Sequence, residues 1–163
     1  MTEPLPILLV QRLPADAAAR SETGMLRLPL AADQRTSLRG HRRSACGRDL
    51  LLQLPRGPAL RPGELLISSD TTVQVRVEAA AEPVLVVRSA DPLALLQAAY
   101  HLGNRHVAME LHADRLVLLQ DSVLAALLHQ RGLQVQQLEL PFQPEAGAYE
   151  GVPHHHHRDA HGH

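Results

Sequence analysis

Short runs of alternating apolar and polar positions fill the first half of the chain. Val73, Val75 and Val77 alternate with Gln74, Arg76 and Glu78, and Leu50, Leu52 and Leu54 with Leu51 and Gln53. A period of two marks a strand with one face buried. The pattern predicts strands over Ile7–Leu13, Gly24–Leu28, Ser37–Arg43, Asp49–Leu54, Glu64–Ser69 and Thr71–Val77. Turn signals such as Arg56-Gly57-Pro58, Arg61-Pro62-Gly63 and Ser69-Asp70 separate them. Six short strands with little helix predict a small all-β domain over residues 1–77. Glu78-Ala79-Ala80-Ala81-Glu82-Pro83 reads as a hinge ended by a proline.

The second half has a different rhythm. Val84–Val87 is an apolar run fit for a central strand. Ser89 or Asp91 can cap a helix with Pro92 in its first turn. Leu93, Leu96 and Tyr100, with Leu95, Ala98, Ala99 and Leu102, give this helix an apolar face, and Gly103 is placed to end it in the left-handed conformation. Strands over Val107–Leu111 and Arg115–Leu119 follow. A second helix is capped by Asp121, carries Leu124, Leu127 and Leu128, and ends at Gly132; a last strand, Leu133–Leu140, runs up to Pro141. The predicted order, βαββαβ, is that of a ferredoxin-like domain over 78–149. Residues 150–163 have no apolar period and read as a disordered, His-rich tail. The expected class is α+β.

Composition narrows the function. The chain has 163 residues and a formal charge of −1, and all sixteen basic residues are arginine. Near-neutral charge, one Phe and no Trp leave neither an electrostatic footprint nor stacking platforms for nucleic acid. No segment approaches the apolar length that spans a bilayer. Glu3 and the early prolines sit where a signal peptide would be positive, so a cytoplasmic location is expected. A single cysteine, Cys46, can form no internal disulfide and is read as a lone thiol in a reducing compartment.

Six of the eleven histidines lie in the last ten residues: His154, His155, His156, His157, His161 and His163. Neutral imidazole is the commonest protein ligand for Ni, Cu and Zn, so the tail should gather borderline metals. The run is four histidines long and is broken by Arg158-Asp159-Ala160, unlike an expression tag. Inside the folded part, His101-Leu102-Gly103-Asn104-Arg105-His106 joins the first helix to the next strand. Strand alternation should turn Val107, Met109 and Leu111 toward the helices, with His106, Ala108, Glu110 and His112 on an open face. His106 is thus expected to be accessible. One His106 supplies too few ligands, but a two-fold axis would bring two together, and tail histidines could complete the shell. His101, in the last helical turn, suits the helix dipole and could also take part.

These blocks resemble the UreE family of urease accessory proteins. The likeness rests on residues 101–106, on Pro141-Phe142-Gln143-Pro144-Glu145-Ala146-Gly147-Ala148-Tyr149 and on the terminal histidines. Leu54-Pro55-Arg56-Gly57 and Leu60-Arg61-Pro62-Gly63-Glu64 are similar to that family's first domain. The resemblance implies a homodimeric nickel metallochaperone that donates Ni²⁺ for urease active-site assembly, acting with a GTPase of the urease maturation complex. It also implies that His106 is the interface nickel ligand, one from each subunit, and that His101 matches a second metal-binding histidine of some members. Positions where other members carry further histidines hold Gln120 and Ser122 here.

The expected function is capture and delivery of Ni²⁺, with Zn²⁺ or Cu²⁺ able to occupy the same ligands in vitro. Affinity cannot select nickel, because Cu²⁺ binds such sites more tightly. The alternative is a store or buffer for nickel or other transition metals. A metal-dependent hydrolase would need three fixed ligands, an open position and a general base; no HExxH or carboxylate cluster is present, so no enzyme is expected. A peptide-binding module with an incidental tail is a third rival.

Overall fold

The computed structural model describes residues 4–17 and 23–147. Among these, the elements are β1 (Ile7–Leu13), β2 (Leu26–Leu30), α1 (Ala32–Thr36), β3 (Arg39–Arg43), β4 (Asp49–Gln53), β5 (Leu65–Ser68), β6 (Gln74–Ala79), β7 (Ala81–Arg88), α2 (Pro92–Asn104), β8 (Met109–Leu111), β9 (Leu116–Leu119), α3 (Ser122–Gln130) and β10 (Gln134–Pro141). The strands form a six-stranded sheet, β2-β6-β5-β1-β4-β3, and a four-stranded sheet, β10-β7-β9-β8. The chain is a mixed α+β, strand-rich protein. No helix among the described residues is long and apolar enough to cross a membrane.

Alternation builds the first sheet as expected. Leu50 and Leu52 of β4 and Val75 and Val77 of β6 are fully buried, and they join Leu9, Leu28, Leu30, Leu54, Leu60 and Leu66 in one core. Each buried leucine contributes about 2 kcal/mol by leaving water. The predicted strand from Thr71 starts instead at Gln74. Asp70 Oδ1 accepts from the Ser68 and Thr72 hydroxyls and the Thr72 amide, and Thr71 takes φ 61°, so residues 69–73 form a turn. The strand predicted at Gly24–Leu28 moves to Leu26–Leu30, because Gly24 lies in a turn at φ 86°. Edge strand β2 carries Pro29 and edge strand β3 carries Arg39, His41, Arg42 and Arg43.

Helix α1 was absent from the expectation. Five residues are too few to be stable alone, and distant groups hold this helix in place. The Ala32 amide donates to Glu82 Oε2 (3.0 Å), and Arg35 donates to the carbonyls of Leu30 (2.8 Å) and Phe142 (2.5 Å). Arg35 is only 4% exposed, and burial lowers its pKa against the pull of Glu82 and Glu110. The expected hinge over residues 78–83 is not a loop. Strand β6 ends at Ala79 and β7 begins at Ala81, and the Ala80 amide between them donates to Leu30 O (2.9 Å).

In the second sheet every neighbouring pair is antiparallel. Leu85 and Val87 of β7 and Leu116 and Leu118 of β9 face α2 and α3, meeting Leu95, Ala98, Leu102 and Leu128. Two expectations need correction. Leu93, Leu96 and Tyr100 do not face this core but stand 59%, 68% and 67% exposed; the helix is apolar nearly all round, and it is the Leu95-Ala98-Leu102 stripe, flanked by Ala94 and Ala99, that meets the core. The opposite face of the sheet is not open either. Val84, Val86 and Val117 are covered by Phe142, with Ala32 of α1 against them.

Candidate metal centre

Helix α2 starts as its chemistry requires. Asp91 Oδ1 accepts from the Leu93 amide (2.9 Å) and Pro92 occupies the first turn. Its end departs from expectation. Gly103 stays inside the helix, which runs to Asn104, and His106 takes the left-handed conformation at φ 57°. The His106 amide donates to Gly103 O (2.9 Å) and the Val107 amide to Leu102 O (3.1 Å). That pair of bonds is a Schellman motif with His106 at C′.

Helix α3 ends the same way. The Gly132 amide donates to His129 O (2.9 Å), the Leu133 amide to Leu128 O (3.1 Å), and Gly132 has φ 77°. In each motif the residue after C′ shares the core cluster with the residue five before it: Val107 with Leu102, and Leu133 with Leu128. This apolar pair fixes the stop. The same spacing in the sequence would have located His106, whereas the glycine at 103 misled. A left-handed residue other than glycine costs about 1–2 kcal/mol, and such strain gathers at functional positions.

His106 is exposed, as expected, but it sits in the turn before the strand and not on a strand face. The predicted strand Val107–Leu111 shrinks to Met109–Leu111, with Met109 buried against the helices and Leu111 51% exposed. His101 lies half-buried in the last turn of α2, its ring edge-on to Tyr100 with centroids 5.4 Å apart. His112 does share a face with Glu110: its Nε2 is 2.8 Å from Glu110 Oε2. His154, His155, His156, His157, His161 and His163 lie outside the described residues, as do Ala148 and Tyr149. Among the described residues of one chain, no three His, Cys, Asp or Glu side chains converge as a metal site. Cys46 is exposed; the Ser44 hydroxyl, 3.3 Å away, is the main group lowering its pKa, and Arg48 assists.

Around this turn two features have no partner among the described residues. The stripe Leu93-Leu96-Tyr100 leads along α2 to Asn104 and the His106 turn, uncovered by any described residue. Gly103 has ordinary helical backbone, and a Cβ there would meet nothing within 4 Å. A glycine inside a helix costs up to about 1 kcal/mol relative to alanine, and no contact among the described residues calls for it.

Sequence reasoning missed one further arrangement. The Gln143 amide donates to Glu110 Oε1 (2.6 Å) and the Glu145 amide to Met109 O (2.8 Å). Residues 143–147 thereby run back along the β8 edge toward residue 108, lining one groove with Ala108 and Arg35. Thirty-three residues separate Glu110 from Gln143, and no local pattern announces such a contact.

A family model described as the UreE urease accessory protein, N-terminal domain, matches residues 9–80, and one for the C-terminal domain matches residues 82–163. A urease accessory protein UreE of Parasynechococcus marenigrum is 54% identical over 148 residues, covering 91% of this chain and 96% of the relative. One from Synechococcus sp. is 60% identical over 125 residues, covering 77% and 81%. One from Burkholderia orbicola is 47% identical over 149 residues, covering 91% of this chain and 70% of the relative.

Proposed function

The chain belongs to the UreE family of urease accessory proteins, and from that membership we propose that it is a nickel metallochaperone. It captures Ni²⁺ and donates it during assembly of the urease metallocentre, in the cytoplasm, through a GTPase of the maturation complex. Catalysis has no part in this role. The observation that carries the proposal is the conformation of His106. An exposed imidazole stands at a position where α3 uses glycine, and a ligand role gives the chain a reason to bear that strain.

The working unit is a homodimer. The Leu93-Leu96-Tyr100 stripe supplies an apolar seam, and Gly103 lets a second copy approach the turn closely. A two-fold axis there sets one His106 beside the other and leaves the ion short of ligands. His101 and the tail histidines 154–157, 161 and 163 complete the shell. The division into residues 1–77, a ferredoxin-like 78–149 and a His-rich 150–163 is part of the same proposal; the βαββαβ order and the antiparallel sheet favour it. Neutral monodentate imidazoles exchange readily, which suits transfer.

Calorimetric titration with Ni²⁺ tests this. His106→Ala should abolish the defined one-per-dimer site, and truncation after Val152 should weaken binding and lower the number of ions. If both variants bind like the parent chain, the proposal fails. A nickel store would bind metal equally well but would withhold it from apo-urease in a transfer assay.

A further inference from the structure

We infer that Glu110 is a positioning residue that sets where the histidine tail leaves the protein, directing it to the turn that carries His106. The inference rests on the tail acting as a ligand source in the proposed function. Its geometry stands apart from the metal.

The last strand ends at Pro141, and Phe142 then buries its ring under β7 and β9 while its carbonyl accepts from Arg35. From Phe142 the chain has several ways to go. One carboxylate selects the route: Glu110 Oε1 accepts from the Gln143 amide, and Glu110 Oε2 is itself held by His112 Nε2. With Gln143 at Glu110 and the Glu145 amide on Met109 O, rising numbers on one segment meet falling numbers on the other. The segment therefore advances toward Ala108, which lines the same groove as Gly147. In the antiparallel register that the Glu145–Met109 bond starts, Gly147 falls opposite Val107, next to His106. The carboxylate at 110 is thus the acceptor that converts a free C-terminal segment into one launched from the metal turn. A charged acceptor makes this bond about twice as strong as a neutral one would.

The consequence for binding follows from tether length. From Gly147 to His154 is seven residues, and from Phe142 it is twelve. Effective concentration falls as about the −3/2 power of tether length, so releasing residues 143–147 should lower tail-dependent Ni²⁺ affinity by about twofold from length alone, with lost direction adding to it.

The test compares the full chain with Glu110→Ala, Glu110→Gln and His112→Ala, each also truncated after Val152, which keeps every described residue. Amide hydrogen exchange at Gln143 and Glu145, without metal, reads the route. Ni²⁺ affinity by chelator competition reads its effect. In Glu110→Ala both amides should lose protection, and affinity should fall by at least about twofold in the full chain and not in the truncated one. Glu110→Gln, which keeps an acceptor oxygen, should restore protection and most of the affinity. Unchanged protection in Glu110→Ala overturns the inference. So does an equal loss of affinity in full and truncated chains, which would mark a direct electrostatic effect on the ion. If truncation itself leaves Ni²⁺ binding unchanged, the tail is no ligand source; that sinks the tail's role and the binding consequence, while the exchange result alone decides whether Glu110 directs the chain.

Discussion

Replacing His106 by glycine should make the protein more stable and less able to bind nickel. The two Schellman motifs supply the comparison. At the end of α3 the left-handed residue is Gly132 at φ 77°, and at the end of α2 it is His106 at φ 57°. An L-residue in that region costs about 1–2 kcal/mol, with histidine at the lower end because it tolerates the region better than most. Glycine removes the cost but loses about 0.5–1 kcal/mol more backbone freedom on folding. The net gain is at most about 0.5 kcal/mol, or a melting shift of roughly 1–4 °C depending on how much of the chain unfolds together. His106→Ala is the control. It removes the imidazole and keeps the Cβ, so it should show no gain. Gly132→Ala is the converse, and because a Cβ there meets nothing within 4 Å, its loss of stability reads the backbone alone. Differential scanning calorimetry with excess chelator measures all three. A glycine variant that melts at or below the parent, or an alanine variant that gains as much as glycine, would refute the argument from strain.

Three further outcomes are expected. Leu96→Asp should leave the fold intact, since Leu96 is 68% exposed in the single chain, yet yield a monomer by light scattering; a dimer would refute the seam. Arg35→Ala should cost about 3 kcal/mol in urea unfolding, because it takes a charged donor from two buried carbonyls, and a loss under 1 kcal/mol would show that water replaces it. The Asp70 pKa is lowered chiefly by the Ser68 hydroxyl and then by the Thr72 amide and hydroxyl, and that of Glu78 is lowered chiefly by Arg27. Both groups therefore add stability above their unfolded values near 4 and lose it as pH falls through the lower folded values. The stability deficit of Asp70→Asn should accordingly be present at pH 7 and fade on acidification, and a pH-independent deficit would contradict the assignment.

Features that local chemistry specifies were legible in the sequence. Asp91 before Pro92, Asp121 and Gly132 announced helix ends that the structure places at those residues. Alternation in 49–53 and 74–77 identified which side chains fill the first core. What stayed hidden depended on distant partners. Helix α1 exists because Glu82 and Phe142 hold it. The burial of α2 could not be read because two of its stripes are apolar, and periodicity alone does not say which meets the sheet. The accessibility of His106 was expected from strand alternation and is found, but for another reason: a left-handed turn presents it. The tail histidines lie outside the described residues, and the sequence remains their whole description.

The two rims of the large sheet differ from its interior in a way that governs how copies of this protein meet. An uncovered strand edge is a template on which another chain can extend the ladder. On β2 the template is interrupted by Pro29, which has no amide hydrogen to offer. On β3 it is lined by Arg39, His41, Arg42 and Arg43, so a second β3 would bring like charge against like. Self-association by strand addition is thereby discouraged at both rims. In the proposed role, a chain that gathers a metal able to bridge imidazoles from several copies has particular use for this. On that proposal, copies concentrated around their cargo would meet through the α2 surface and be kept from growing along the sheet rims.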